Sequence, residues 1–185
     1  MSRRLPTIIG LTGFAGSGKD TVRDILEDMG FVGFAFADPI RAMLRELLSG
    51  SGLDDKWMEC REFKELVIPE LGVSNRQMAQ MLGTEWGRSL HADFWVRLAG
   101  AYVADIQDQS FERGVNFCVS DVRFENEANF VRERGGVIWR IDRPGVERVR
   151  DHASERQIES IAYDTVVPNH GDFDELRVWV ERLLA

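Results

Sequence analysis

Short apolar runs alternate with helical patterns at the start of the chain. Residues 7–12 form a run rich in β-branched and apolar side chains that leads into glycines, and residues 20–29 then repeat apolar positions at helical spacing. Residues 31–36 repeat the strand pattern. The helix that follows runs through Leu48, with Asp38 expected to cap it and Pro39 at its first position. This order predicts a strand, a glycine loop, a helix, a strand and a helix.

The same alternation returns at the end of the chain. The late segments predict strands at residues 115–121, 137–141 and 165–167, and helices at 125–134 and 174–184. Between them, residues 54–109 follow a helical pattern with breaks at 69–74 and 83–87 and no strand signal. Because strands alternate with helices, we expect an α/β fold in which a parallel five-stranded sheet is covered by helices.

Composition narrows the class of protein. At 185 residues the chain fits one domain, and no apolar run approaches the length needed to cross a bilayer. The net charge of −8 opposes broad attraction to a nucleic-acid polymer or an anionic membrane. The only two cysteines, Cys60 and Cys118, are far apart and suggest neither a disulfide framework nor a zinc site. We expect a cytoplasmic protein.

The first glycine loop carries the clearest chemistry. The segment from Gly13 to Lys19 follows the pattern G-x-x-x-x-G-K, in which backbone N–H groups, a helix N-terminus and a lysine surround a phosphate. The plainer interpretation is a glycine-rich turn with a chance lysine, and the flanking strand and helix favour the phosphate site. The residues assigned to the cradle are Gly13, Ala15, Gly16, Ser17, Gly18, Lys19, Asp20 and Thr21.

Asp20 departs from this pattern, because a Ser or Thr whose hydroxyl ligates Mg²⁺ is expected there. A carboxylate could ligate Mg²⁺ or a bound water, but it would repel phosphate if misplaced. Asp121 is a second acidic candidate, since it ends an apolar strand at the edge where open parallel sheets bind ligands. It could hold Mg²⁺ through water, or it could cap the helix that starts near Phe124.

Five blocks of sequence together resemble one enzyme family. "GFAGSGKDT", "FADPIRAML", "RQMAQMLGTEWGR", "SDVRFENEA" and "HASE" are similar to the phage-type deoxynucleoside monophosphate kinases of the P-loop kinase superfamily, in the same order along nearly the whole chain. The resemblance implies a three-layer P-loop NTPase fold in one domain, residues 1–185. It also implies a helical acceptor-binding insertion at about residues 39–109 and a lid at about 142–160. Gly-Lys-Asp-Thr is a usual form of the loop in this family, so Asp20 becomes a family feature.

The resemblance further implies transfer of the ATP γ-phosphoryl group, with Mg²⁺, to a deoxynucleoside 5′-monophosphate in support of dNTP synthesis. Its catalytic candidates are Lys19, Asp121, Arg123 and Arg143, and its metal candidates are Asp20, Thr21 and Asp121. Arg140 and Arg143 fall in or beside the lid. The substrate-binding candidates are Asp38, Arg76, Gln80, Thr84, Glu85, Arg88, Asn126, Glu127, His152 and Glu155.

Two other functions remain open at this stage. The loop and sheet do not identify the acceptor, so the chain could phosphorylate dephospho-coenzyme A or a ribonucleoside monophosphate. Asp20 is the feature that favours a non-catalytic ATP-binding switch. The expected partners are small molecules, ATP and a nucleotide, with no nucleic-acid polymer and no membrane. Association as a homodimer is left open.

Overall fold

The computed structural model describes residues 7–54, 56–59, 62–110, 114–146 and 157–185. The chain divides into two compact units, the first formed by Met1–Ala35 with Gly100–Ala185 and the second by Phe36–Ala99. The second unit overlaps the region of about residues 39–109 for which acceptor binding is predicted. None of the described helices is both long enough and apolar enough to cross a bilayer.

Strands and helices alternate along most of the described chain. The strands are β1 (Ile8–Thr12), β2 (Val32–Phe34), β3 (Val67–Ile68), β4 (Val73–Ser74), β5 (Phe117–Val119), β6 (Val137–Asp142) and β7 (Thr165–Pro168). The helices are α1 (Lys19–Asp28), α2 (Asp38–Gly50), α3 (Lys56–Glu59), α4 (Asn75–Gln80), α5 (Gly87–Leu90), α6 (Phe94–Gln109), α7 (Glu125–Glu133) and α8 (Phe173–Leu184). A 3₁₀ turn covers Phe63–Glu65, and a π-helix covers Met81–Trp86.

The first unit contains a five-stranded sheet with the order β2-β5-β1-β6-β7, in which every pair of neighbours is parallel. All five of these strands lie where the apolar runs predict them, and the α/β prediction is confirmed. Gly10 at the centre of β1 lies between Val119 of β5 and Ile138 of β6. The carboxyl ends of the strands therefore meet at one edge, where open parallel sheets bind ligands.

Both faces of the sheet are covered, because every residue of β1 is buried. Ile9 and Leu11 belong to a core cluster that also contains apolar residues of α1 and of α8. On the opposite face, a side chain at Gly10 would meet Ile138 and Val131, a residue of α7. Burial of one large aliphatic side chain contributes about 1.5–3 kcal/mol to folding, so the apolar residues of the central strand stabilise this unit strongly.

The start of α2 differs from its prediction by one residue. The N-cap position is Ala37, whose φ of −84° and ψ of −2° are already helical, so Asp38 lies in the first turn. The prediction that Asp38 caps the helix is therefore wrong. Its carboxylate instead accepts a hydrogen bond of 2.8 Å from Arg41 Nη1. A negative charge in the first turn still interacts favourably with the helix dipole.

The middle of the chain does contain strands, contrary to the sequence prediction. In the second unit, β3 and β4 pair antiparallel, with Val67 opposite Ser74 and Ile68 opposite Val73. Gly72 in the connecting turn has a φ of +69°, which glycine adopts without steric cost. The break predicted at residues 69–74 is thus the turn of a small hairpin together with its second strand. Two-residue strands are too short to show an alternating pattern.

The break predicted at residues 83–87 is absent, since the π-helix joins α4 to α5 without interruption. Both glycines are closely packed, Gly83 against Ile40 and Gly87 against Trp95. The indole Nε1 of Trp95 donates a 2.7 Å hydrogen bond to Gly83 O, and a Cβ at Gly87 would lie 2.5 Å from the Trp95 ring. Glycine permits this close approach, and the chain stays helical.

The tight contact at Gly10 gives a stability prediction for the sheet. A Cβ there would lie 2.7 Å from Ile138 Cδ1 and 3.1 Å from Val131 Cγ2. We expect Gly10→Ala to lower the free energy of unfolding by about 1–3 kcal/mol, because overpacking a core forces neighbouring side chains to move. Urea denaturation followed by circular dichroism measures the change.

Gly100→Ala is the matched control, because Gly100 lies within α6 and an added Cβ would find its nearest neighbour at 3.6 Å. Alanine there should raise stability by about 0.5–1 kcal/mol, as in an unhindered helix interior. Equal denaturation midpoints for the two variants would contradict the packing argument.

Candidate phosphate-binding site

The loop of residues 13–18 joins β1 to α1 at the carboxyl edge of the sheet. Gly13, Gly16 and Gly18 have φ values of +140°, +87° and +100°, a region that residues with a Cβ rarely enter. Gly13 is further restricted, because a Cβ there would lie 2.7 Å from the backbone oxygen of Ile141. The glycines of the motif are therefore required by the backbone path of the loop.

Lys19 is the first residue of α1 and folds back over this loop. Its Nζ donates hydrogen bonds of 2.7 Å to Gly13 O and 2.8 Å to Phe14 O. The ammonium group thus lies next to the N-terminus of α1, where unsatisfied N–H groups and the helix dipole already favour an anion. This arrangement is that of a phosphate cradle.

The loop carbonyls are held from outside the loop as well as from within it. Ser17 N–H donates to Phe14 O at 3.1 Å, and the Asn169 side chain donates to Ser17 O at 2.8 Å. Arg143 Nη1 lies 3.4 Å from Gly16 O.

Sequence reasoning missed Asn169. Its position directly after the last predicted strand, at the same edge of the sheet, was the one signal that could have found it.

Asp121 lies beside the cradle's strand, where the sequence placed it. It is 7% exposed, and the chain there stays alongside β1 because Val122 N–H donates to Leu11 O at 3.0 Å. The N-cap position of α7 is Phe124, so Asp121 is not that helix's cap. Asp121 thus lies three residues before the N-cap position, and its role toward Mg²⁺ remains a prediction.

Oxygen atoms dominate this edge of the sheet. The hydroxyl groups of Thr12, Ser17 and Ser120 are buried and find no hydrogen-bond partner within the described part of the chain. These hydroxyls and the Asp121 carboxylate are hard oxygen donors, placed at the carboxyl ends of β1 and β5 and in the loop that follows β1. Mg²⁺ prefers such donors and usually keeps several waters, so the residues present fit this ion.

Asp20 and Thr21 occupy the first turn of α1, with Asp20 exposed and Thr21 half-buried. The charge of Asp20 acts on Arg23, three residues further along the helix. Burial lowers the pKa of Arg23, while its hydrogen bond to Asp24 and the charges of Asp20, Asp24 and Glu27 raise it, with a net upward shift. Part of the Asp20 charge is therefore compensated within α1.

The block after β5 brings Arg123, Asn126 and Glu127 together. Glu127 is 4% exposed, and its Oε2 accepts hydrogen bonds from the backbone N–H groups of Arg123 at 2.8 Å and Phe124 at 3.1 Å. This carboxylate fixes the turn that carries Arg123 into α7. Arg123 and Asn126 are half-buried, and substrate contacts by these three residues remain predictions.

Arg140 and Arg143 are both near the loop. Arg140 pairs in register with Thr12 and lies 5.5 Å from the centre of the Tyr163 ring, within the range of a cation–π contact. Arg143 is exposed at the end of β6. A small surface hollow is lined by Gly13, Phe14, Ser17, Arg140, Ile141 and Arg143.

His152 and Glu155, and residues 147–156 of the predicted lid, lie outside the described residues.

The other acceptor candidates belong to the second unit. Arg76 forms an ion pair with Glu65, and Arg88 Nη1 donates to Ala92 O at 3.2 Å. Gln80 ends α4, and Thr84 and Glu85 lie on the π-helix. π-helical turns are rare in proteins as a whole, but those that occur often lie at functional sites. The structure thus groups the loop candidates in the first unit and most acceptor candidates in the second.

Comparison with known proteins gives one consistent family. The deoxynucleotide monophosphate kinase family matches residues 54–180. A protein of Acanthamoeba polyphaga mimivirus named for the same activity is 35% identical over 91% of this chain and 91% of its own length. The deoxynucleotide monophosphate kinase of Escherichia phage RB69 is 28% identical over 60% of this chain and 45% of its own length.

Among solved structures, TT1252 from Thermus thermophilus superposes with a TM-score of 0.53 at 20% identity, covering 98% of this chain and 97% of that one. This likeness concerns the fold alone, which is a parallel sheet covered by helices. The phosphate loop, the parallel sheet and the family match agree with one another. The chain belongs to the deoxynucleotide monophosphate kinase family.

Proposed function

We propose that this protein transfers the γ-phosphoryl group of ATP to a deoxynucleoside 5′-monophosphate, which yields the diphosphate and ADP. The observation that carries the proposal is the glycine loop of the first unit, which Lys19 crosses with hydrogen bonds to Gly13 O and Phe14 O. In a chain of this family, such a cradle is the natural place for the ATP phosphates.

In this proposal the first unit binds the donor. Backbone N–H groups of residues 16–19 and the Lys19 ammonium hold the ATP phosphates at the N-terminus of α1. As charge spreads over the oxygens of the moving phosphoryl group, Lys19 stabilises it electrostatically. Arg143 lies against the same loop at Gly16 O, so its cation can move onto a phosphate oxygen with little change in backbone position.

Mg²⁺ would be held by Asp121, directly or through water, with oxygen donors from Asp20 or Thr21 at the first turn of α1. When bound, the ion would neutralise charge on the ATP phosphates. Asp121 is buried at the end of the strand beside β1, and the Arg23 cation attracts the Asp20 carboxylate within α1.

The second unit binds the acceptor in this proposal. Arginine matches a 5′-phosphate because its planar guanidinium donates two parallel hydrogen bonds. Arg88 is the candidate tested below, because it lies in α5 directly after the π-helix that carries Thr84 and Glu85. Gln80, Thr84 and Glu85 carry amide, hydroxyl and carboxylate groups suited to a base edge. A homodimeric state and a cytoplasmic location remain predictions.

The activity is tested by incubating the protein with Mg-ATP and each deoxyribonucleoside or ribonucleoside monophosphate separately. Chromatography should resolve a diphosphate and an equal amount of ADP with at least one deoxynucleotide. Phosphorylation of dephospho-coenzyme A, but of no nucleotide, would replace the proposed acceptor. ATP binding without turnover on any of these acceptors would contradict the kinase.

Lys19→Ala should lower kcat by about 10²–10³-fold, because it removes a cation that acts on charge developing in the transition state. Steady-state kinetics with saturating ATP and deoxynucleotide measures this loss, and circular dichroism checks the fold. Lys56→Ala is the matched control, since Lys56 is an exposed lysine of α3 paired with Asp54. A well-folded Lys19→Ala protein with the kcat of the control would refute the assigned role.

Arg88→Ala should raise KM for the deoxynucleotide by about tenfold or more and leave KM for ATP nearly unchanged, because a charge-assisted hydrogen bond is worth roughly 1.5–3 kcal/mol. Initial rates with each substrate varied in turn separate the two constants. Arg45→Ala, an exposed arginine of α2, serves as the control for charge. Equal increases in both KM values would remove Arg88 from the acceptor pocket.

A further inference from the structure

Asn169 connects the last strand of the sheet to the phosphate loop. Its backbone N–H donates to Asp142 O at 2.7 Å, which fixes the residue directly beyond the end of β7. Its side-chain Nδ2 donates to Ser17 O at 2.8 Å, across 152 residues of sequence. The orientation of the amide follows from its partner, because a carbonyl oxygen can only accept.

The same side chain also restricts the next residue of the loop. A Cβ at Gly18 would collide with Asn169 Nδ2, so glycine at this position leaves room for the amide. Gly18 is the N-cap of α1, with a φ of +100° and a ψ of +18°. Asn169 therefore contacts the loop where its path turns into the helix.

This contact determines where the Ser17–Gly18 peptide directs its N–H group. A trans peptide is planar, and its C=O and N–H bonds point in opposite directions. When Asn169 holds Ser17 O on the side of β7, Gly18 N–H points away from β7. Gly18 N–H donates to no backbone group within the described part of the chain. It is thus available to an anion at the helix N-terminus.

We propose that Asn169 is a positioning residue for the phosphate cradle, which keeps Gly18 N–H directed toward the ATP phosphates. The inference rests on the proposed function, in which this loop binds ATP. Without the amide, the Ser17–Gly18 peptide can rotate. Binding of ATP must then fix the direction of Gly18 N–H, whereas the native loop already holds this donor in place. Such pre-organisation contributes to affinity by reducing the ordering cost of binding.

The proposal is tested by the affinity of Asn169→Ala and Asn169→Asp for ATP and for inorganic tripolyphosphate, measured by isothermal titration calorimetry and by competition. Asn169→Ala should weaken both ligands by about tenfold, the scale of one hydrogen bond. Asn169→Asp should weaken them further, because the isosteric carboxylate cannot donate to Ser17 O and repels the phosphates. Added salt should narrow the gap between the two variants, since it screens only the repulsion.

The KM for the deoxynucleotide should change less than twofold in both variants, which separates positioning of the donor site from general loss of structure. His170→Ala, at the exposed neighbouring residue, should retain the native affinity. If ATP binding weakens while tripolyphosphate binding does not, Asn169 contacts the base instead, and the proposal is overturned. Unchanged ATP affinity in Asn169→Ala overturns it as well. Failure of the native protein to bind ATP would refute the proposed function.

Discussion

β1 pairs with parallel strands on both sides, and the candidate groups of the first unit depend on that pairing. The strand is buried along its whole length, between β5 and β6, in a fixed register. Its carboxyl end therefore holds the glycine loop, while the ends of its neighbours place Asp121 on one side and Arg140 on the other. Residues far apart in sequence share an edge because parallel strands end together.

The sequence predicted the sheet well because its strands are buried on both faces and appear as continuous apolar runs. It failed where the local signal is ambiguous. The glycines at 83 and 87 predict a helix break, yet the chain stays helical there and Gly87 makes room for the Trp95 ring. The strands β3 and β4 are too short to show an alternating pattern. The predicted cap of α2 was wrong by one residue, because Ala37 is already helical and occupies the N-cap position.

Within the candidate site, the predictable part was the loop, whose spacing has a local physical reason. The sequence indicated only that Asn169 lies near this edge, and its contact with Ser17 O depends on where β7 ends in space. The unusual Asp20 lies in α1 with Arg23, whose cation attracts the carboxylates of Asp20, Asp24 and Glu27.

The π-helix between α4 and α5 constrains the chain in a way that side chains do not. Its hydrogen bonds span five residues, whereas those of an α-helix span four, so the segment holds an extra residue within the same run. Because the wider turn takes up this residue locally, its loss would restore α-helical geometry and leave Arg88 and Gln80 on about the same faces of the helix. The extra residue therefore widens the helix at Thr84 and Glu85 without turning the residues that follow.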